Sequence, residues 1–81
     1  MASLQFVIDS ICSRLTVETM YRIVRERLGQ GPFNIPDIVP LVQREDRSLD
    51  AESARQLADA TFAELAQRGE LRVDGESIRP A

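Results

Sequence analysis

Few side chains in this sequence of 81 residues could perform covalent chemistry. Histidine is absent, so the commonest general base and metal ligand is missing and the serines cannot join a hydrolase triad. The one cysteine, Cys12, excludes an internal disulfide. It lies in an apolar stretch with no basic residue closer than Arg14, so we expect a buried, unreactive thiol. The sequence therefore predicts no enzymatic activity, no cofactor and no small-molecule substrate.

An acidic segment offers the best candidate for a metal site. Side-chain oxygens recur at alternate positions between Glu45 and Glu52, as they do in a calcium-binding loop. Such a loop also needs glycine at its sixth position and a bidentate glutamate at its twelfth. Counted from Asp46, those two positions hold Ala51 and Leu57. We therefore predict that the segment forms a turn and a helix cap, with no bound metal.

The charge balance restricts the partners. Ten arginines and no lysine oppose thirteen acids, which gives a net charge of −3 and a pI of about 4.8. Dedicated nucleic-acid binders usually carry a basic face and a high pI, so strong nonspecific binding to DNA or to an anionic membrane is disfavoured. No apolar stretch approaches the roughly 20 residues of a bilayer span, and the amino terminus lacks the positive segment of a secretory signal. We expect a cytoplasmic protein.

The spacing of apolar residues predicts four helices and one short strand. The helices cover about residues 3–14, 17–28, 36–45 and 51–68, and the strand covers 33–35. Thr16 and Asp50 are predicted N-cap residues, and Gly69 occupies the position where a helix stops. The inner face of the longest helix is predicted to consist of Ala54, Leu57, Ala58, Thr61, Phe62 and Leu65.

Near the carboxyl end the apolar period changes from 3.6 to 2 residues, which indicates a β-hairpin. Leu71, Val73 and Ile78 alternate with polar residues around Asp74-Gly75, a dipeptide typical of two-residue hairpin loops. The pairs that this loop implies are Val73 with Glu76, Leu71 with Ile78 and Glu70 with Arg79.

The order helix, short strand, helix, polar turn, long helix and hairpin resembles the winged helix–turn–helix fold with one extra N-terminal helix. The resemblance covers about residues 17–80, and the segment from Phe62 to Val73 is similar to the end of a recognition helix that leads into a wing strand. It implies a mainly α fold with a small β-hairpin. The expected organisation is an N-terminal dimerisation helix, 1–15, and a winged-helix domain, 16–81. The alternative is a plain helical bundle that carries a terminal hairpin.

The resemblance also implies a function. In winged-helix DNA binders the long helix enters the major groove and the wing contacts the backbone. By that likeness Arg55 and Gln56 would read bases, and Arg47 and Arg72 would contact phosphate. The chain is therefore expected to be a small DNA-binding protein, a transcriptional regulator that acts as a dimer.

A second hypothesis is an acidic winged-helix module that binds a protein, alone or within a larger complex, and does not bind DNA. Glu52 and Asp59 flank the two base-reading residues and would repel phosphates. Ala60 and Ala63 give the long helix a small-residue face that another helix could approach closely. Salt-dependent binding to duplex DNA would distinguish the two hypotheses.

The first helix carries more apolar surface than one domain needs. Its apolar residues are Leu4, Ile8, Ile11 and Leu15 on one face, with Phe6, Val7 and Cys12 beside them. An exposed patch of that extent usually marks an interface, so we expect a homodimer held by the stripe of four residues. The alternative is that the helix packs onto its own domain.

Overall fold

The chain is mainly helical with a small antiparallel sheet, as a computed structural model of residues 3–81 shows. Strand β3 pairs with both other strands, so the sheet order is β1-β3-β2. The elements are α1 (Leu4–Ile11), α2 (Val17–Leu28), β1 (Phe33–Asn34), a 3₁₀ turn (Ile35–Ile38), α3 (Val39–Glu45), α4 (Ala51–Gln67), β2 (Leu71–Asp74) and β3 (Ser77–Pro80).

The predicted helix caps are confirmed. Thr16 Oγ1 and Asp50 Oδ1 each accept a hydrogen bond from the N–H three residues further on, at 3.1 and 2.7 Å. Beyond α4, Gly69 adopts a φ of +77°. The Glu70 N–H donates to the Leu65 carbonyl at 3.0 Å, the Schellman pattern that closes a helix. These local bonds set the start of α2 and both ends of α4.

Helix α1 ends at Ile11, earlier than the sequence predicts. Cys12 adopts a left-handed φ of 59°, and the Ser13 N–H donates to the Ile8 carbonyl at 3.0 Å. This is a Schellman motif with cysteine where glycine is usual. The prediction of a buried thiol is wrong, because the chain reverses at Cys12 and leaves it exposed.

The hairpin loop consists of Gly75 and Glu76, so the predicted Asp74-Gly75 loop is wrong by one residue. Gly75 has a φ of +61° and Glu76 does not have a positive φ, as in type II′ turns. Strand β3 must also match β1, where Phe33 lies opposite Ile78, and this third strand was not part of the predicted hairpin register. The observed pairs between β2 and β3 are Leu71 with Pro80, Arg72 with Arg79, Val73 with Ile78 and Asp74 with Ser77.

The core lies between the inner face of α4 and the other helices. The buried residues of α4 are the predicted ones: Ala54, Leu57, Ala58, Thr61, Phe62 and Leu65. Leu4, Ile8 and Leu15 belong to the same core cluster, with exposures of 0%, 3% and 7%, and Ile11 packs against it half-buried. The stripe expected to hold a dimer is therefore covered by its own chain. The core also includes residues from both sides of the predicted boundary between 15 and 16.

Glu64 of α4 accepts hydrogen bonds from both α1 and α2. One carboxylate oxygen accepts the Leu4 N–H at 2.6 Å, and the other accepts the Tyr21 hydroxyl. A carboxylate at the start of a helix accepts an N–H that has no partner within the helix. It also interacts favourably with the positive end of the helix dipole. The bond to Glu64 raises the pKa of the Tyr21 phenol. The guanidinium carbons of Arg25 and Arg68 lie 5.2 and 5.0 Å from the centre of the Tyr21 ring.

Asp46 is a buried carboxylate that joins the α1–α2 and α3–α4 connections. It accepts hydrogen bonds from the Ser48 hydroxyl at 2.6 Å, the Ser48 N–H at 3.1 Å and the Ser13 hydroxyl at 3.0 Å. These bonds lower the pKa of Asp46 from 3.8 to about 2, and the bond from the Ser48 hydroxyl contributes the most. The acidic segment therefore folds as a turn that anchors the start of α4.

Candidate nucleic-acid interface

The residues that the sequence predicts at a DNA interface lie on three connected elements. Arg47 is exposed in the turn before α4, Gln56 is exposed on α4, and Arg72 is exposed on β2. Arg55 lies one position before Gln56, and its side chain is 36% exposed. All four are thus at the surface, but their electrostatic surroundings differ.

Arg55 is held by two acids from two elements. Its Nε lies 3.1 Å from Asp59 Oδ1, one turn along α4, and its Nη2 lies 3.3 Å from Glu76 Oε1 in the hairpin loop. The hydrogen bond to Asp59 is the main cause of a raised Arg55 pKa. We call these three residues the acid clamp. It joins α4 to the hairpin and places two carboxylates where a nucleic acid would have to approach.

Two arginines lie side by side on the outer face of the hairpin. Arg72 and Arg79 are direct cross-strand partners, and both are exposed. Side chains in such positions have Cβ atoms about 5 Å apart, and like charges there destabilise the sheet. Within residues 3–81, neither arginine forms an ion pair. We call these two residues the hairpin arginine pair.

Sequence reasoning missed Arg79 because of the register error. The predicted loop places Glu70 opposite Arg79 and neutralises it. In the structure Glu70 binds Arg25 instead, with its two oxygens 2.8 and 2.9 Å from Nε and Nη2. A type II′ loop that starts at Gly75 would have placed Arg72 and Arg79 together, so the signal was present in the position of the glycine.

The hairpin arginine pair can bind an anion with two oxygens. Guanidinium groups donate parallel hydrogen bonds to phosphate oxygens, and two arginines on adjacent strands could share one phosphate or hold two neighbouring ones. Asp74 lies two positions further along β2 on the same face, which limits the positive region to the part of the hairpin near Pro80.

The small-residue face of α4 is smaller than its sequence indicates. Ala60 and Ala63 are both half-buried, and Ala60 packs against the chain's own core. After Ala51, the residues that α4 leaves fully exposed along its first turns are polar and mainly acidic, with Gln56 between Glu52 and Asp59.

A shallow groove of about 220 Å³ lies elsewhere on the surface, between α2 and α3. Arg22 crosses it, with ion pairs to Glu26 at 3.3 Å and to Glu45 at 2.9 Å. None of the residues predicted at a DNA interface lines this groove.

Comparison with protein-family models, with curated proteins and with solved structures finds no match to this chain. Within residues 3–81, no helix combines the length and the apolar character needed to cross a membrane. The function must therefore be inferred from the fold and from the surface that it presents.

Proposed function

We propose that this chain is a small winged-helix protein that binds duplex DNA as a transcriptional regulator. In this proposal α4 is the recognition helix and the β2–β3 hairpin is the wing. The element order supports it, because α2, β1, α3, α4 and the hairpin follow one another in the order on which the winged-helix resemblance rests. A fold by itself does not define a function, so the proposal depends on a surface feature.

The hairpin arginine pair is the observation that carries the proposal. Two arginines in cross-strand partner positions repel each other, and an anion between them removes that cost. A duplex offers phosphates at regular spacing along each strand. Phosphate contact from the hairpin is the role that the winged-helix resemblance assigns to a wing.

Helix α4 would provide the contacts to bases. Gln56 is exposed and can pair with adenine, and Arg55 can pair with guanine once it leaves Asp59 and Glu76. Exposed ion pairs contribute about 0.2–1 kcal/mol each, whereas a bidentate base contact gives about 1–3 kcal/mol of discrimination. The two ion pairs together are worth about 0.4–2 kcal/mol, a range that a base contact of this size can match. Arg47 adds a phosphate contact from the turn before α4.

Fluorescence anisotropy with a labelled mixed-sequence duplex tests the proposal. The wild-type chain should bind at about 50 mM salt and lose affinity steeply as salt rises. Arg72→Ala and Arg79→Ala should each reduce the slope of log K against log salt by about 0.9, the value of one phosphate contact. Arg44→Ala is the matched control, because Arg44 is an exposed arginine of α3 that lines the α2–α3 groove.

Two outcomes would contradict DNA binding. One is no binding at about 100 µM protein, the weak end of nonspecific affinity. The other is binding that all three arginine variants weaken equally, because the hairpin would then have no special part in it.

The second candidate is a protein-interaction module that uses the outer face of α4. Glu52, Asp59 and Glu76 favour it, because they make the surface around the start of α4 acidic and unfavourable for phosphate. In this case duplex DNA gives no anisotropy change, and Arg72→Ala has no effect on the partner complex.

We also propose that two copies of the chain pair. Three of the four residues predicted for this contact are buried, so the surface that remains on α1 is the side that carries Phe6, which is 61% exposed, and the half-buried Val7 and Ile11. An exposed phenylalanine beside two half-buried aliphatic residues favours contact with another apolar surface.

A further inference from the structure

We infer that Asp59 and Glu76 determine the specificity of the α4 face, because they hold Arg55 away from phosphates and release it to guanine. This inference rests on the proposed DNA binding and names the ligand group that Arg55 accepts. It concerns the acid clamp, which lies on α4 and the hairpin loop and is separate from the hairpin arginine pair.

The clamp occupies one edge of the guanidinium group. Asp59 and Glu76 each take one donor, Nε and Nη2, at 3.1 and 3.3 Å. The guanidinium carries five N–H donors in a fixed fork, and a guanine base presents the matching pair of acceptors, O6 and N7. A guanine can therefore replace both carboxylates with two hydrogen bonds of similar geometry.

A phosphate is a poorer replacement than guanine. It carries a negative charge, and Asp59 and Glu76 remain on the same surface as Arg55 after they release it. The phosphate would then lie beside two like charges, whereas the neutral edge of guanine would not. The clamp therefore discriminates between a neutral group with two acceptors and an anion.

The clamp is also weak enough to open. The side chains of Asp59 and Glu76 are 53% and 65% exposed, so water and salt screen both ion pairs. In a nonspecific complex Arg55 stays with its acids and contributes nothing to the count of neutralised phosphates. In a complex with guanine at the right position it leaves them.

The test uses the salt dependence of binding, which counts phosphate contacts. The clamp variant is Asp59→Asn/Glu76→Gln, and the matched control is Glu18→Gln/Glu52→Gln, which removes the same charge from exposed positions on α2 and α4 without touching Arg55 or the hairpin arginine pair. The probe is a labelled duplex made only of A·T pairs, compared with one of equal length that contains G·C pairs. Thermal melts by circular dichroism check that each variant folds.

We expect the clamp variant to bind the A·T duplex with a slope of log K against log salt that is steeper by about 0.9, because Arg55 becomes free to neutralise one phosphate. The control variant should bind more tightly than wild type but keep the wild-type slope. The clamp variant should also lose part of the preference for the duplex with G·C pairs.

Equal slopes for the two double variants, with DNA binding intact, would overturn the inference and leave the proposed function in place. No binding by any of the proteins would overturn the proposed function and the inference with it. An NMR spectrum of the free protein adds a measurement without DNA. The Arg55 Nε–H resonance should move between wild type and the clamp variant, and an unchanged resonance would show that the clamp does not form.

Discussion

At the scale of single residues, the backbone of Cys12 is conformationally strained. Its φ of 59° belongs to the left-handed region, where a side chain costs about 1–2 kcal/mol. Nothing in the spacing of apolar residues marks this position, because the pattern of Leu4, Ile8, Ile11 and Leu15 continues through it. The caps at Thr16 and Asp50 were predictable because their side chains make the bond themselves, whereas the reversal at Cys12 is closed by backbone bonds to which its side chain contributes nothing.

We predict that Cys12→Gly raises the free energy of unfolding by about 0.5–1 kcal/mol. Glycine removes the left-handed strain from the folded chain. This gain is larger than the free-energy cost of the extra backbone entropy that glycine gives the unfolded chain, about 0.4–1 kcal/mol. Urea denaturation followed by circular dichroism measures the difference. Ser10→Gly, inside α1, is the control and should lower the same free energy, since glycine is unfavourable within a helix. A decrease for both variants would show that Cys12 is not strained.

Asp46 should make stability depend on pH in the acid range. Its pKa is about 2 in the folded chain and 3.8 is the ordinary value, so the unfolded state binds more protons between these pH values. Stability is therefore fully present above about pH 4 and falls as pH drops toward 2. In thermal melts between pH 5 and 2, at about one-unit steps, the melting temperature of Asp46→Asn should fall less steeply than that of wild type. A fall of equal steepness in both proteins would remove Asp46 as a cause.

At the scale of elements, periodicity predicted the inner face of α4 in full, because that face packs on several elements at once and a helix has one register. The hairpin sequence alone allows two registers, because Gly75 fits a loop of Asp74-Gly75 and a loop of Gly75-Glu76. Strand β3 pairs on both sides, and Phe33 of β1 lies opposite Ile78. That contact between distant parts of the chain is absent from a local pattern, and with it the position of Arg79 in the candidate site was lost.

Helix α1 is part of the core, so its removal should unfold the chain. A protein that starts at Thr16 loses Leu4, Ile8 and Leu15, which are nearly fully buried, and the Leu4 N–H bond to Glu64. Each large side chain contributes about 1.5–3 kcal/mol on burial, and small domains have only about 5–15 kcal/mol in total. We predict a loss of the cooperative thermal transition. A truncated protein that melts like the full chain would show that α1 is dispensable.

At the scale of the whole molecule, the exposed side of α1 leads to a prediction about assembly. Sedimentation equilibrium of the full chain should detect a dimer in the micromolar range, and Phe6→Ser should shift the equilibrium to monomer. Val73→Ser is the control, because Val73 is the other large apolar residue that residues 3–81 leave exposed, at 46%, and it lies on the hairpin. A monomeric wild type at high micromolar concentration, or equal effects of both variants, would contradict pairing through α1.

The central claim is that the β2–β3 hairpin and the start of α4 form a surface that binds duplex DNA. An NMR titration of the ¹⁵N-labelled chain with a mixed-sequence duplex at low salt tests it most directly, because each amide reports on its own position. We predict shifts that concentrate at Arg72, Arg79 and the first turns of α4 and that disappear as salt rises. No shifts at saturating DNA, or shifts confined to α1 and the α2–α3 groove, would contradict the claim.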